Sequence, residues 1–177
     1  MTFAYRSHYQ LNRKRTSGEG LKTSKSPPVM SHIYPIQPIV AVGAVVFKEQ
    51  AVLLVRRAQP PNQGLWAIPG GCIQLGETLQ AAAEREIWEE TRIRIRAHRP
   101  IYIFDTVDKD KEGKVRYHYV IADLLADYLD GWPEANDDAL EARWVTSEEL
   151  GSLPVSQATM DLLRGEKSKD GFPSDWH

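Results

Sequence analysis

Residues 70–93 read GGCIQLGETLQAAAEREIWEETRI, and the whole fold can be read outward from this stretch. Its first part carries Gly70, Gly71 and Gly76, a composition that suits a loop. From Thr78 the pattern becomes helical: Leu79, Ala83, Ile87 and Glu90 recur at helix spacing, and three alanines favour helix and allow close packing. Glu86 and Glu90 lie one turn apart and Glu89 sits three positions from Glu86, so their carboxylates converge on one helix edge. Three unneutralised acids repel one another. A hard divalent cation with oxygen ligands turns that repulsion into binding, so the cluster predicts a metal.

Taken alone, EREIWEE would read as a solvated helix face with Arg85 paired to Glu89 at i, i+4. The surrounding residues weigh against that. Glu77 lies six positions after Gly71, Arg85 and Glu86 follow eight and nine later, and Ile87, Glu89, Glu90 and Ile93 complete the spacing. This arrangement resembles the box of the Nudix hydrolases, G-x5-E-x7-R-E-U-x-E-E-x-G-U with U a bulky aliphatic residue. Six of seven fixed identities and both aliphatic positions match. The resemblance implies a Nudix fold of the α/β class, a mixed β-sheet packed between α-helices. It further implies that Glu86, Glu89 and Glu90 ligate magnesium, or manganese as the alternative, with help from the Gly70 carbonyl. Arg85 is then expected to bridge Glu77 and hold the loop against the helix, so Glu77, Arg85, Glu86, Glu89 and Glu90 form the expected catalytic set. The departure is Arg92, which stands where the box has a glycine. That glycine ends the helix at a left-handed backbone position, where another residue costs about 1 kcal/mol.

Upstream, IVAVGAVVF and AVLLVRRA flank a short polar KEQ and predict a hairpin of core strands. PPNQGLWAIPGG is a turn-rich loop feeding a short strand at 66–68. Downstream, RIRIR alternates strictly, and IYIFDTV, DKDKEGK and VRYHYVIADLLADYL predict a second long hairpin. GWPEANDD is a loop, EARWV a last strand, Thr146 with Glu149 a capping box, and 156–163 a closing helix.

The chain has 177 residues, 42% apolar and 26% charged, which suits one globular domain with a real core. Residues 36–177 are expected to form that domain and residues 1–35 a flexible basic tail, with Met30 an alternative start. No apolar run approaches the length needed to cross a bilayer, and Cys72 is the single cysteine, so a cytoplasmic protein without disulfides is expected. Of 22 basic and 24 acidic residues, six and one fall in residues 1–29; the remaining 16 and 23 leave the body at −7. Such a body lacks the phosphate-neutralising surface of a general nucleic-acid binder. A small nucleotide is the expected partner, and a homodimer is compatible with the sequence.

Phosphoanhydride hydrolysis needs neutralised phosphates and an aligned, deprotonated water. Glu86 or Glu90 within the cluster, or Asp138 or Glu141 from the acidic loop, are candidates to take the proton. Arg56 and Arg57 end a strand, where alternation sends one to each sheet face and lets one reach a substrate phosphate. Trp66, Tyr102, Phe104 and Tyr119 are candidates to stack a base, against the ordinary fate of strand aromatics as core. Residues 39–146 also resemble the small ADP-ribose pyrophosphatase-like Nudix proteins, in VAVGAVVF, VLLVRR, GLWAIPGG, VRYHYVIAD and DDALEARWV. ADP-ribose hydrolysis to AMP and ribose 5-phosphate is therefore expected. The competing readings are a nucleoside triphosphate pyrophosphohydrolase and a sensor that binds ADP-ribose without cutting it.

Overall fold

The structure is a computed structural model that describes residues 32–165, Phe172 and Trp176. The basic segment 1–29 lies outside the described residues. Tyr34, assigned to the tail from sequence, is already packed: its N–H donates to the Arg116 carbonyl at 2.8 Å and its hydroxyl to Asp110 at 2.9 Å.

In chain order the strands are β1 (Ile39–Lys48), β2 (Ala51–Arg57), β3 (Trp66–Ala67) and β4 (Gly70–Cys72). After α1 (Leu79–Thr91) come β5 (Arg94–Lys109), β6 (Val115–Asp130), β7 (Ala139–Thr146), α2 (Ser147–Leu150) and α3 (Gln157–Arg164). The sheet is mixed, as expected. β1 and β2 pair antiparallel only near their turn, at Phe47↔Val52 and Lys48↔Ala51. Beyond it they separate: β1 runs parallel to β6 and antiparallel to β4, whereas β2 pairs with β3 and β7. The predicted hairpin is thus a short corner, because each strand finds its longer partner elsewhere.

The end of RIRIR, from Arg94, and IYIFDTV prove to be parts of one strand, β5, with register shifts on both sides of Pro100. Proline has no N–H to give a ladder, and a bulge accommodates it without losing the pairing to β6.

Strand alternation sorts the apolar residues into two layers. Val42, Ala44 and Val46 face α1 and pack with Ala82, Ala83, Ile87 and Leu124. Val45, Leu54, Trp66, Val145 and Leu162 form the opposite layer under α2 and α3. Helix α1 begins at Thr78, whose hydroxyl accepts from the Ala81 N–H at 3.1 Å. Its buried face includes Ile87, whose complete burial contributes about 2 kcal/mol. The capping box at Thr146 and Glu149 is present and opens α2.

Helix α1 ends where the box glycine is missing. Arg92 adopts φ 58°, ψ 17°, the left-handed conformation, and donates its N–H to the Trp88 carbonyl at 3.0 Å. The strain of about 1 kcal/mol is partly offset by the guanidinium over the Trp88 ring at 5.5 Å, an exposed contact worth about 0.5 kcal/mol. Arg92→Gly should therefore raise stability by about 0.5 kcal/mol, or roughly 1–2 °C in Tm. A lower Tm for the variant in a thermal melt would refute this account.

Candidate active site

Strand β4 and the first turns of the loop behind it lie against α1. Arg85 of α1 makes this junction. Its Nε and Nη2 take the two oxygens of Glu77 at 2.7 and 2.8 Å, and Nη2 also donates to the Cys72 carbonyl at 3.1 Å. Nη1 reaches Glu86 at 2.7 Å and Glu89 at 3.0 Å. Both geometric options for Arg85, the pair with Glu89 and the bridge to Glu77, are therefore realised at once. The guanidinium holds the Glu77 carboxyl down to about 2, with a further contribution from the Gln74 N–H.

Glu90 lies on the same helix and is buried, at 4% exposure. Its carboxylate accepts the Gly70 N–H at 2.9 Å. Burial nevertheless pushes its pKa up to about 8, and burial also raises Glu86. Each acid is therefore costly to ionise in the protein alone, which is the electrostatic condition a cation relieves. As placed, no three acids, imidazoles or thiols among the described residues are grouped to hold a metal ion, and Arg85 engages Glu86 and Glu89. The donors are hard oxygens on one open side of a helix, so they fit a divalent ion that keeps positions for water and phosphate.

The glycines before the helix sit in close contacts, at Gly71 with the movable end of the Glu86 side chain and at Gly70 with backbone. A Cβ on Gly71 would lie 2.5 Å from Glu86 Oε2. One on Gly70 would overlap the Val42 carbonyl and come within 2.6 Å of the Gly43 Cα. This contact brings the Gly70 backbone close to β1 and beside Glu90.

These acids open onto a cavity of about 580 Å³. Glu86, Glu89, Glu90 and Arg57 stand in its wall, together with Asp137 and Asp138 of the loop before β7. Arg57 is anchored by its Nε to the Pro61 carbonyl at 3.1 Å, and its charge acts on Glu90. Arg56 projects elsewhere. It pairs with Glu141 at 3.0 Å, directly across the β2–β7 register, and neither residue lines the cavity. Of the two arginines and two loop acids singled out from sequence as tentative substrate contacts or proton acceptors, Arg57 and Asp138 are thus at the cavity, while Arg56 and Glu141 pair with each other away from it. The one-face-each rule for consecutive strand residues accounts for the split between Arg56 and Arg57.

Phe104 and Tyr119 line the cavity; Trp66 and Tyr102 pack into the core layer under α2 and α3. Tyr117, Asp123 and Asp137 are also in the wall and were missed from sequence. Asp123 did carry a signal, because period-two alternation in VIADLL sets it on the same face as Ile121 and Leu125, an acid among apolar neighbours.

Residues 37–164 match the family described as NUDIX domain. The chain is 33% identical over 119 residues to the ADP-ribose pyrophosphatase of Methanocaldococcus jannaschii, covering 67% of this chain and 66% of that protein, just under two thirds of its length. It is 32% identical over 139 residues to phosphatase NudJ of Escherichia coli, covering 77% of this chain and 88% of that one. Among solved structures it resembles a MutT NUDIX hydrolase from Burkholderia pseudomallei, with TM-score 0.60, 30% identity, and coverage of 70% of this chain and 93% of that chain. With the box residues, the mixed sheet and the family match in agreement, the chain belongs to the Nudix hydrolases.

Proposed function

We propose that this Nudix hydrolase cuts the diphosphate linkage of a nucleoside diphosphate derivative, with ADP-ribose its best substrate and AMP and ribose 5-phosphate the products. The observation that carries this reading is the lining of the cavity. It combines the acids and Arg57, suited to a bridged pair of phosphates, with Phe104 and Tyr119, suited to a flat base. Its likeness to the M. jannaschii ADP-ribose pyrophosphatase supports this choice of substrate.

In this reading Glu86, Glu89 and Glu90, with the Gly70 carbonyl, hold magnesium, with manganese an alternative. Bound metal supplies charge neutralisation at the phosphates and an acidified water. The chain's own residues do the rest. Arg85 fixes Glu77, Glu86 and Glu89 relative to one another, Arg57 offers a guanidinium to a phosphate oxygen, and Asp138 stands at the cavity to take the water's proton. The complete acid set argues for turnover rather than sensing. The intended setting is the cytoplasm; among the described residues no helix is long and apolar enough to cross a membrane.

The test is a substrate panel with product identification: ADP-ribose, other nucleotide sugars, dinucleoside polyphosphates, and canonical and oxidised triphosphates. ADP-ribose should give the highest kcat/KM, with AMP and ribose 5-phosphate released. Higher efficiency on triphosphates with pyrophosphate released would replace this reading by nucleotide-pool sanitation. Tight binding of ADP-ribose without cleavage would replace it by a sensor.

A further inference from the structure

Asp123 of β6 is 5% exposed and lies in the cavity wall. In the parallel register it stands beside Gly43 of β1. A Cβ on Gly43 would overlap Asp123 Oδ1, so β1 carries a glycine in mid-strand where it seats this carboxyl. Two other polar residues of the cavity wall, Ser156 and Thr159, are hydrogen bonded to each other. The Ile68 N–H donates to Thr159 Oγ1 at 3.2 Å, and the Ser156 hydroxyl donates to the same oxygen at 3.0 Å. Among the described residues none donates to Asp123, and no charged neighbour acts on it: burial alone pushes its pKa up to about 7. A buried carboxyl without a donor is a cost to the fold. Gly43 makes room for that cost rather than avoiding it, and the carboxyl borders open space that a ligand can enter.

The remaining walls say what kind of ligand. Ile68, Phe104 and Ile121 are apolar or aromatic and accept a flat ring, while Glu86, Glu90 and Arg57 belong to the phosphate end of the same cavity. A nucleotide laid along it brings its base to the apolar region, where Asp123 is a polar group with no partner in the protein. We propose that Asp123 determines base specificity by accepting a hydrogen bond from the exocyclic amino group of the nucleobase. A base with a carbonyl at that position would set two oxygens against each other. The role is one of specificity, not of chemistry at the phosphates, and it rests on the reading of the cavity as a nucleotide site.

AMP and IMP differ at this position by an amino group against a carbonyl, and both can be titrated calorimetrically into the full chain with magnesium at pH 8.5, where the carboxyl acts only as an acceptor. AMP should bind at least about fivefold more tightly than IMP. In Asp123→Asn the amide can both accept and donate, so the preference should fall to within about twofold. The wild-type comparison needs no variant and stands even if Asp123→Asn fails to fold. Equal binding of AMP and IMP by the wild type, binding of neither, or a preference that survives in Asp123→Asn would overturn the assignment. Failure to cleave ADP-ribose with the AMP preference intact would instead overturn only the substrate reading. Cleavage of ADP-ribose with AMP and IMP bound alike would overturn only the role of Asp123.

Discussion

Glu90→Gln should lower turnover at least about a hundredfold, and Glu89→Gln should do the same, with the fold intact in both. Removing one negative charge from the cluster weakens both the hold on the cation and the neutralisation of charge that develops on the phosphates. Glu90 is the more informative of the two because it is nearly fully buried and, among the described residues, the hydrogen-bond partner of its carboxylate is the Gly70 N–H. Glutamine keeps the shape and an acceptor oxygen for that N–H, so the melting temperature should be preserved while chemistry is lost. The measurements are kcat across a magnesium titration and a thermal melt of each variant. Excess chelator should silence the wild type. Wild-type turnover by Glu90→Gln, or full activity in chelator, would show that this cluster is not the catalytic metal site.

Gly70→Ala is expected to be among the most damaging single methyl additions in the chain. The added carbon would meet backbone, the Val42 carbonyl and the Gly43 Cα, rather than the yielding end of a side chain. Both partners belong to β1, which is fixed between β4 and the long parallel ladder to β6. The φ of 154° adds a conformation that residues with a side chain rarely adopt. Overpacking and backbone strain together should cost about 3 kcal/mol or more, which for a domain of this size is a fall of roughly 6–12 °C in Tm. Gly76→Ala is the matched control. Its φ is also positive, at 94°, but nothing lies within 4 Å of the added carbon, so only the conformational cost of about 1 kcal/mol applies. Equal melting temperatures for the two variants would show that the close approach of β4 to β1 is not what requires glycine at position 70.

What could be read from sequence was mostly local. The N-cap at Thr78, the buried face through Ala83 and Ile87, and the box at Thr146 and Glu149 depend on residues within one or two turns, and all three are present. The left-handed end at Arg92 was legible for the same reason, since only the family pattern and backbone sterics were needed. Long-range pairing was not. Nothing in IVAVGAVVF states that it will lie parallel to VIADLLA more than seventy residues later, and the roles expected of Arg56 at phosphate and Glu141 as proton acceptor followed from not knowing the β2–β7 register that pairs them. Asp123 stood in between. Its parity was readable, but that no donor among the described residues reaches it became visible only in the folded chain, where Ser156 bonds to Thr159 instead.

Arg85 has a consequence for how this part of the molecule opens. Local unfolding proceeds in cooperative units, and a glycine-bearing surface loop with Leu75 fully exposed would ordinarily open alone, at little cost. Here one side chain from the middle of a packed helix grips the loop at both ends, at the Cys72 carbonyl and at both oxygens of Glu77. The loop cannot lift away without leaving a guanidinium short of three of its partners. Segment 72–77 and helix α1 are therefore expected to exchange their amides as one unit, the loop gaining a protection that its own composition would not give it.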